Sequence, residues 1–241
     1  MNGEKVTPEV ITTGVTEVDM ILDGGIRTRT LSLIEGQLDS GKSVLCQHLI
    51  HGTLHYSDKN VAYYTTENSI RSLIAQMGAL SLSALDYFLT DRLRIYPIPL
   101  CNDWRKADIN IQILTYHLLS LPERFNVVII DTITLLMTYG SPVSILNFFL
   151  ACKDLTEQGR TVLLVVHSDT FSKKMLPRII SMCDVYLTLK LEEIGSRIVR
   201  VMEIIKHRGA RPFKEAALYF EVKHREGIKE LPYAKAKAKA V

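Results

Sequence analysis

The sequence has few of the features that mark specialised classes of protein. Its 241 residues include four cysteines, and no two of them form a Cys-x-x-Cys pair. Neither a disulfide framework nor a zinc ribbon is therefore indicated, and we expect reduced, buried thiols in a cytoplasmic protein. The formal net charge is only +3, which gives no general indication of a nucleic-acid or lipid partner. We expect any basic surface to be local.

Long apolar segments are also missing. The longest, around Val127 to Met137, is interrupted by Asp131, so it is not expected to cross a membrane. The start Met1-Asn2-Gly3-Glu4-Lys5 is not followed by the apolar core of an export signal. With 47% apolar residues, the chain has the composition of a folded protein. We expect one domain over residues 1–232 and a mobile basic tail at 233–241.

Short β-branched runs alternate with longer helical patterns up to about residue 190, which predicts βαβ units around a mainly parallel sheet, an α/β fold. Two near-continuous apolar runs, Val127–Ile130 and Val162–Val166, indicate strands buried on both faces, in the middle of the sheet. The expected strands are Leu31–Glu35, Asn60–Thr65, Leu93–Pro97, Val127–Asp131, Thr161–His167 and Val185–Leu191. The expected helices are Lys42–Leu54, Ser69–Leu80, Asp108–Ser120 and Val143–Gln158. Ile198–Ile205 and Ala217–Val222 then predict an antiparallel hairpin on the sheet edge.

Residues 36–43 form the clearest motif in the chain. They match G-x-x-x-x-G-K-[ST], a loop whose backbone N–H groups surround a phosphate and whose lysine adds a positive charge. The motif follows an expected strand and opens an expected helix, where the helix dipole also favours an anion. The residues expected to contact the phosphates are Gly36, Gln37, Leu38, Asp39, Ser40, Gly41, Lys42, Ser43 and Val44.

A magnesium ion usually accompanies such a loop, and its ligands can be assigned by position. Ser43 is the hydroxyl residue that closes the motif. Asp131 ends the apolar run Val127–Ile130, so its carboxylate should emerge at the carboxyl edge of the sheet, where open α/β sheets bind ligands. We expect Ser43 and Asp131 to hold Mg²⁺ together.

Hydrolysis would further require a base that orients a water molecule. Glu67 follows the second expected strand and is the best candidate, although an acidic residue in the first turn of the next helix is an equally good interpretation. His167 closes the strand after that of Asp131 and is placed to sense a γ-phosphate, or is simply a histidine satisfied at a strand end.

Two further groups of residues carry less information. His48, His51 and His55 have metal-like spacing on one helix, but no cysteine or carboxylate joins them, so we expect surface histidines and no zinc. Lys173, Lys174 and Arg178 form a basic cluster after His167, for which a solvated face is the default interpretation.

The segments around the loop resemble those of a known group of ATPases. Thr13-Gly14-Val15, then Glu17-Val18-Asp19 and Leu22-Asp23-Gly24-Gly25-Ile26, resemble the lead-in of RecA, RadA and KaiC-type ATPases. Thr66-Glu67-Asn68-Ser69 resembles the KaiC motif after the second strand, and Lys206-His207-Arg208-Gly209 resembles its late basic element. Across nearly the whole chain, the resemblance is to the single-domain KaiC-like proteins of the archaeal flagellum, the archaellum.

That resemblance implies a RecA-like P-loop fold and ATP, with Mg²⁺, as the ligand. It also implies a hexameric ring at the cytoplasmic face of a membrane-embedded motor. The implied partners are the secretion and motor ATPase of the archaellum and a ring or scaffold protein. In KaiC-like rings ATP lies between subunits, so Lys206 and Arg208 would reach the neighbour's γ-phosphate. Both are also compatible with ordinary surface positions on a hairpin.

The sequence departs from the KaiC pattern at one position. Two adjacent acids are expected after the second strand, whereas Glu67 is followed by Asn68. An amide cannot act as a base, so we expect ATP binding with slow or absent turnover. The alternative is a RadB-like recombinase paralogue that binds DNA, but the connection Thr138–Pro142 has no basic residue, and we expect no nucleic acid. A metabolic kinase ranks last because no lid insertion is visible.

Overall fold

The computed structural model describes residues 9–99, 104–194, 197–210 and 217–231, and a nine-stranded sheet forms their centre. The order of the strands is β11-β10-β9-β8-β3-β7-β6-β4-β5, and β1 and β2 form a separate antiparallel pair. Within the described ranges the strands are β1 Val10–Ile11, β2 Ile26–Arg27, β3 Leu31–Gly36, β4 Asn60–Thr65, β5 Leu93–Pro97, β6 Phe125–Asp131, β7 Thr161–His167, β8 Val185–Ile194, β9 Arg197–His207, β10 Ala217–Lys223 and β11 Gly227–Glu230.

Helices cover both faces of the sheet, because its parallel strands are apolar on both sides. Helices α1 to α4 pack on one face and α5 to α8 on the other. Among the helices of the described part, none is both long and apolar enough to cross a bilayer. The helices are α1 Thr16–Ile21, α2 Lys42–Tyr56, α3 Ile70–Ala79, α4 Leu85–Leu89, α5 Ala107–Leu119, α6 Thr134–Tyr139, α7 Pro142–Glu157 and α8 Leu176–Met182.

The predicted α/β architecture is confirmed, and the structure adds detail at the carboxyl-terminal end of the chain. Strand β8 is parallel to β3 and antiparallel to β9, and β10 and β11 continue the antiparallel series to the edge. These four strands lie on one side of β3. Strand β3 therefore has the central position that we predicted for β6 and β7, although both of those are interior and buried.

Some predictions fall outside the described ranges. The expected basic tail at 233–241 and Cys101 are among these residues. The other three cysteines, Cys46, Cys152 and Cys183, are buried and free, as the sequence indicated.

The prediction of a surface position for His48 is wrong. Its side chain is only 4% exposed, because the turn into β11 covers this part of α2. The amide N–H of Ile228 donates to Nε2 of His48 at 3.0 Å, and a backbone hydrogen bond links the ring to Thr13. A Cβ on Gly227 would clash with the imidazole, so only glycine allows this approach. The neutral ring thereby joins the lead-in segment, α2 and β11.

This burial makes stability depend on the charge of one imidazole. Desolvation lowers the pKa of His48 to about 4, whereas an unfolded histidine has a pKa of about 6.5. Below about pH 6.5 the unfolded chain therefore binds more protons than the folded chain, and the free energy of unfolding falls as the pH drops.

We expect the wild-type chain to lose about 2 kcal/mol more stability than His48→Gln between about pH 7 and about pH 4.5. Urea unfolding at both pH values measures this difference, and contributions from other histidines cancel in it. The control is His55→Gln, which changes an exposed histidine of the same helix. If the wild-type chain and His48→Gln lose equal stability, the buried neutral imidazole of His48 does not cause the loss of stability at low pH.

Candidate phosphate-binding cleft

The loop between β3 and α2 has the backbone conformation that its glycines allow. Gly41 has a φ of 96° and precedes the first residue of α2, and Asp39 has a φ of 57°. A Cβ on Gly36 would clash with the carbonyl oxygen of Leu189 on the neighbouring strand β8. Close packing therefore requires glycine at position 36, and the positive φ favours glycine at position 41. The resulting loop wraps the amino terminus of α2, where N–H groups favour an anion.

Lys42 is buried within this loop. Its ammonium group donates to the carbonyl oxygens of Gly36 at 3.0 Å and Gln37 at 2.6 Å. Desolvation lowers the pKa of Lys42, while the nearby carboxylates of Asp131 and Glu67 oppose that shift. The positive charge is thus held close to the loop by carbonyl oxygens and stabilised by acids across the cleft.

Asp131 lies beside the loop, as its position after β6 predicted. One carboxylate oxygen accepts a hydrogen bond from the hydroxyl of Tyr63 at 2.7 Å, and the side chain of Ser43 is a second hydrogen-bond partner. Burial raises the pKa of Asp131, and these hydrogen bonds oppose the rise. A buried carboxylate next to a hydroxyl supplies the oxygen ligands that Mg²⁺ prefers, so the residues present fit this ion.

Glu67 and His167 lie at the opening of the cleft. Oε1 of Glu67 is 3.8 Å from Nε2 of His167, and the Glu67 side chain is 53% exposed. Desolvation and the charge of Lys42 lower the pKa of His167. Asn68 is turned away, because its amide oxygen accepts hydrogen bonds from Gln76 and Ser72 of α3. Of Glu67 and Asn68, only Glu67 lines the cleft.

The cleft has a volume of about 210 Å³. Much of the predicted site lines it, and two residues that the sequence did not suggest, Arg200 of β9 and Val222 of β10, complete the wall. Nε of Arg200 donates to the carbonyl oxygen of Asp39 at 2.9 Å. The predicted residues in the lining are Leu38, Asp39, Gly41, Lys42, Ser43, Val44, Glu67, Asp131 and His167.

A weak sequence signal for Arg200 existed. It is the charged residue within the otherwise apolar run Ile198–Met202. A charge inside an apolar strand indicates a specific partner. Val222 carries no comparable signal, because apolar residues are common in strands.

Lys206 and Arg208 lie far from the cleft of their own chain. In the sheet Lys206 is opposite Tyr186 near the start of β8, whereas the loop residue Gly36 is opposite Leu189. The ammonium of Lys206 donates to the carbonyl oxygen of Ile180 at the end of α8, at 2.7 Å. Arg208 forms an ion pair with the buried Asp184 at 3.1 Å. Both basic side chains therefore belong to the amino edge of the parallel strands.

Together these groups provide what phosphoryl chemistry requires of a protein. The loop and Lys42 can bind phosphate oxygens, and Ser43 and Asp131 can hold a divalent cation. Glu67 is close enough to the cleft to accept a proton through a water molecule.

Comparisons with known proteins agree with this geometry. A family model described as a KaiC ATPase matches residues 11–234. The archaeal flagellar ATP-binding protein FlaH of Sulfolobus acidocaldarius is 29% identical over 232 residues, which cover 95% of this chain and 100% of that protein. FlaH of Methanocaldococcus jannaschii is 26% identical over 214 residues, covering 88% and 91%.

A solved structure matches as well. The crystal structure of the flagellar accessory protein FlaH from Methanocaldococcus jannaschii superposes with a TM-score of 0.80 at 24% identity, covering 92% of this chain and 99% of that one. It shows the same fold. The resemblance inferred from the sequence motifs is confirmed, and the chain belongs to the KaiC family of ATPases.

Proposed function

We propose that this chain is an ATP-binding assembly component of an archaellum motor. The observation that carries the proposal is the convergence of Lys42, Ser43 and Asp131 on one cleft formed by a complete P-loop. Similarity to FlaH proteins over nearly the whole chain supports the assignment to the archaellum. The archaellum setting implies a location at the cytoplasmic face of the motor, with the motor ATPase and a ring or scaffold protein as partners.

In this proposal, different residues of the cleft contact different parts of the nucleotide. The backbone of the loop and Lys42 bind the phosphates, and Ser43 and Asp131 hold Mg²⁺, which neutralises phosphate charge. Arg200 and Val222 form the wall on the side of β9 and β10. A guanidinium and an apolar side chain suit the ribose and base, so we assign the nucleoside end of ATP to this wall.

Binding is expected to matter more than turnover. Between β4 and α3, Glu67 is the carboxylate that lines the cleft, and it is more than half exposed. A single candidate base that is open to bulk water is poorly placed to hold one attacking water molecule in a fixed position, which fits slow hydrolysis and a role for ATP in assembly.

Assembly would bring Lys206 and Arg208 to the nucleotide of another copy. Their position at the amino edge of the sheet prevents contact with the phosphates of the same chain. A head-to-tail contact between copies places different surfaces together and closes into a ring when the rotation allows it. We propose that a hexameric ring forms in this way, with Arg208 stabilising charge on the γ-phosphate.

Lys42→Ala should weaken Mg-ATP binding at least ~100-fold, because the buried charge on the phosphates is lost. Calorimetry measures the affinity, and mass measurement with ATP, with ADP and without nucleotide measures assembly. Lys59→Ala, just beyond the carboxyl end of α2, is the control and should change neither. An oligomer that is the same in all three conditions and in Lys42→Ala would exclude nucleotide-dependent assembly.

Glu67→Gln should leave the affinity for Mg-ATP within about threefold and lower phosphate release about 10-fold or more, since the amide cannot accept a proton. Asn68→Asp is the matched control. Its side chain faces Gln76 and Ser72, so an added acid there should change the rate by less than about twofold. Undiminished phosphate release in Glu67→Gln would remove this residue as the base.

The contact between copies can be tested by mixing variants. Arg208→Ala should fold, because Asp184 keeps Lys153 at 2.7 Å and the amide of Leu31 at 3.0 Å. Neither Arg208→Ala nor Lys42→Ala should form rings with ATP. Mixed together, with one variant enlarged by a tag, they should form ATP-dependent pairs through the one intact interface. If no such mixed pairs form, Arg208 does not act on a neighbour's nucleotide.

A further inference from the structure

Helix α5 has an unusual surface for a helix on the outside of a protein. All of its residues, 107–119, are described, and Asp108 is the one with a formal charge. The carboxylate of Asp108 accepts a hydrogen bond from the amide of Ser141 at 2.7 Å, at the turn before α7. Polar side chains interrupt its exposed surface at Gln112 and His117, yet large apolar residues are exposed there too. The buried side, which packs against the sheet and the neighbouring helices, is formed by Ala107, Ile111, Leu114 and Leu118.

The outer side of α5 presents a stripe of large apolar residues at helical spacing. Ile113 is 62% exposed and Tyr116 is 75% exposed, and Ile109 continues the stripe one turn earlier. The neighbouring helix α7 adds the exposed Val143 and Leu150. Monomeric proteins rarely expose several large apolar residues on one face without a partner.

The charges around the stripe favour a second copy of the chain as the occupant. The stripe itself has no charged residue that would repel its own image across a two-fold axis. Arg105 and Lys106 precede α5, and Glu123 follows it. In an antiparallel pair of α5 helices centred on Ile113, the basic end of each helix faces the carboxyl end of the other. The helix dipole favours cations there, and Glu123 adds negative charge.

We propose that the outer face of α5, with the adjoining part of α7, is a two-fold contact between copies of this chain. In this contact Ile113 meets Ile113 of the second copy, and Ile109 meets Tyr116. The face shares no residue with the lining of the phosphate-binding cleft or with the strand that carries Lys206 and Arg208. The contact is therefore independent of nucleotide, and it goes beyond the ring proposed above.

The first test is sedimentation over a concentration series without nucleotide. The wild-type chain should form a dimer, and Ile113→Glu should raise the dimer dissociation constant ~100-fold or more, because two carboxylates would be buried together. The matched control is Ile198→Glu on β9, where the isoleucine is 66% exposed. It should leave the dimer unchanged. Unchanged Mg-ATP affinity in all variants would show that the chain is folded.

The second test concerns the orientation of the helices. Ile109→Lys and Tyr116→Glu should each weaken the dimer about 10-fold or more, and the two changes in one chain should restore it to within about threefold, since opposite charges then meet across the axis. A double variant no better than either single variant would contradict antiparallel packing of α5.

Other outcomes would overturn the proposal. A wild-type chain that is monomeric at all concentrations would exclude the two-fold contact. Sedimentation of that monomer with phosphatidylcholine vesicles, lost in Ile113→Glu, would assign the face to a lipid surface instead. The dimer should persist in Lys42→Ala. A wild-type chain that forms the dimer but no ring with ATP would contradict the proposed function and leave this contact standing. A wild-type chain that forms the ring with ATP but no dimer without nucleotide would contradict this contact and leave the proposed function standing.

Discussion

The pairing of β3 with strands on both sides fixes the geometry of the phosphate-binding loop. Gly36 lies opposite His167 of β7 on one side and Leu189 of β8 on the other. The carbonyl oxygen of Gly36 accepts from the amide of Ser168, and the amide of Gln37 donates to Leu189. Both ends of the loop's first turn are thus tied to the sheet before α2 begins. A loop held in this way binds an anion without first losing conformational entropy.

The same sheet also determines the electrostatics of the cleft. Because β6 and β7 are next to β3 or one strand away, Asp131 and His167 emerge beside Lys42. Desolvation acts on both charged partners, raising the pKa of Asp131 and lowering that of Lys42. Their mutual attraction opposes this cost only in part. Phosphate and a divalent cation are ligands that would compensate it, which is consistent with the chemistry proposed for the cleft.

The antiparallel strands connect the cleft with the rest of the molecule. Strand β9 supplies Arg200 to the loop at one end and carries Lys206 at the other, with Arg208 directly after its last residue. Strand β11 closes over α2 through His48. One region of the chain therefore contacts the phosphate-binding loop, its helix and the amino edge of the sheet. A nucleotide that moved Arg200 would act directly on β9, the strand that leads to the basic residues of the ring proposed above.

The sequence by itself determined the local parts of this protein. The loop at residues 36–43 and the emergence of Asp131 could be predicted because their chemistry depends on neighbouring residues in the chain and on the ends of strands. The positions of Arg200, Val222 and His48 were decided by the tertiary structure. Each depends on which strands pair and where β11 packs, and such long-range contacts leave no periodic pattern in a single sequence. The outer face of α5 depends on both sequence and fold. Its lack of charge is visible in the sequence, but its exposure is known only from the fold.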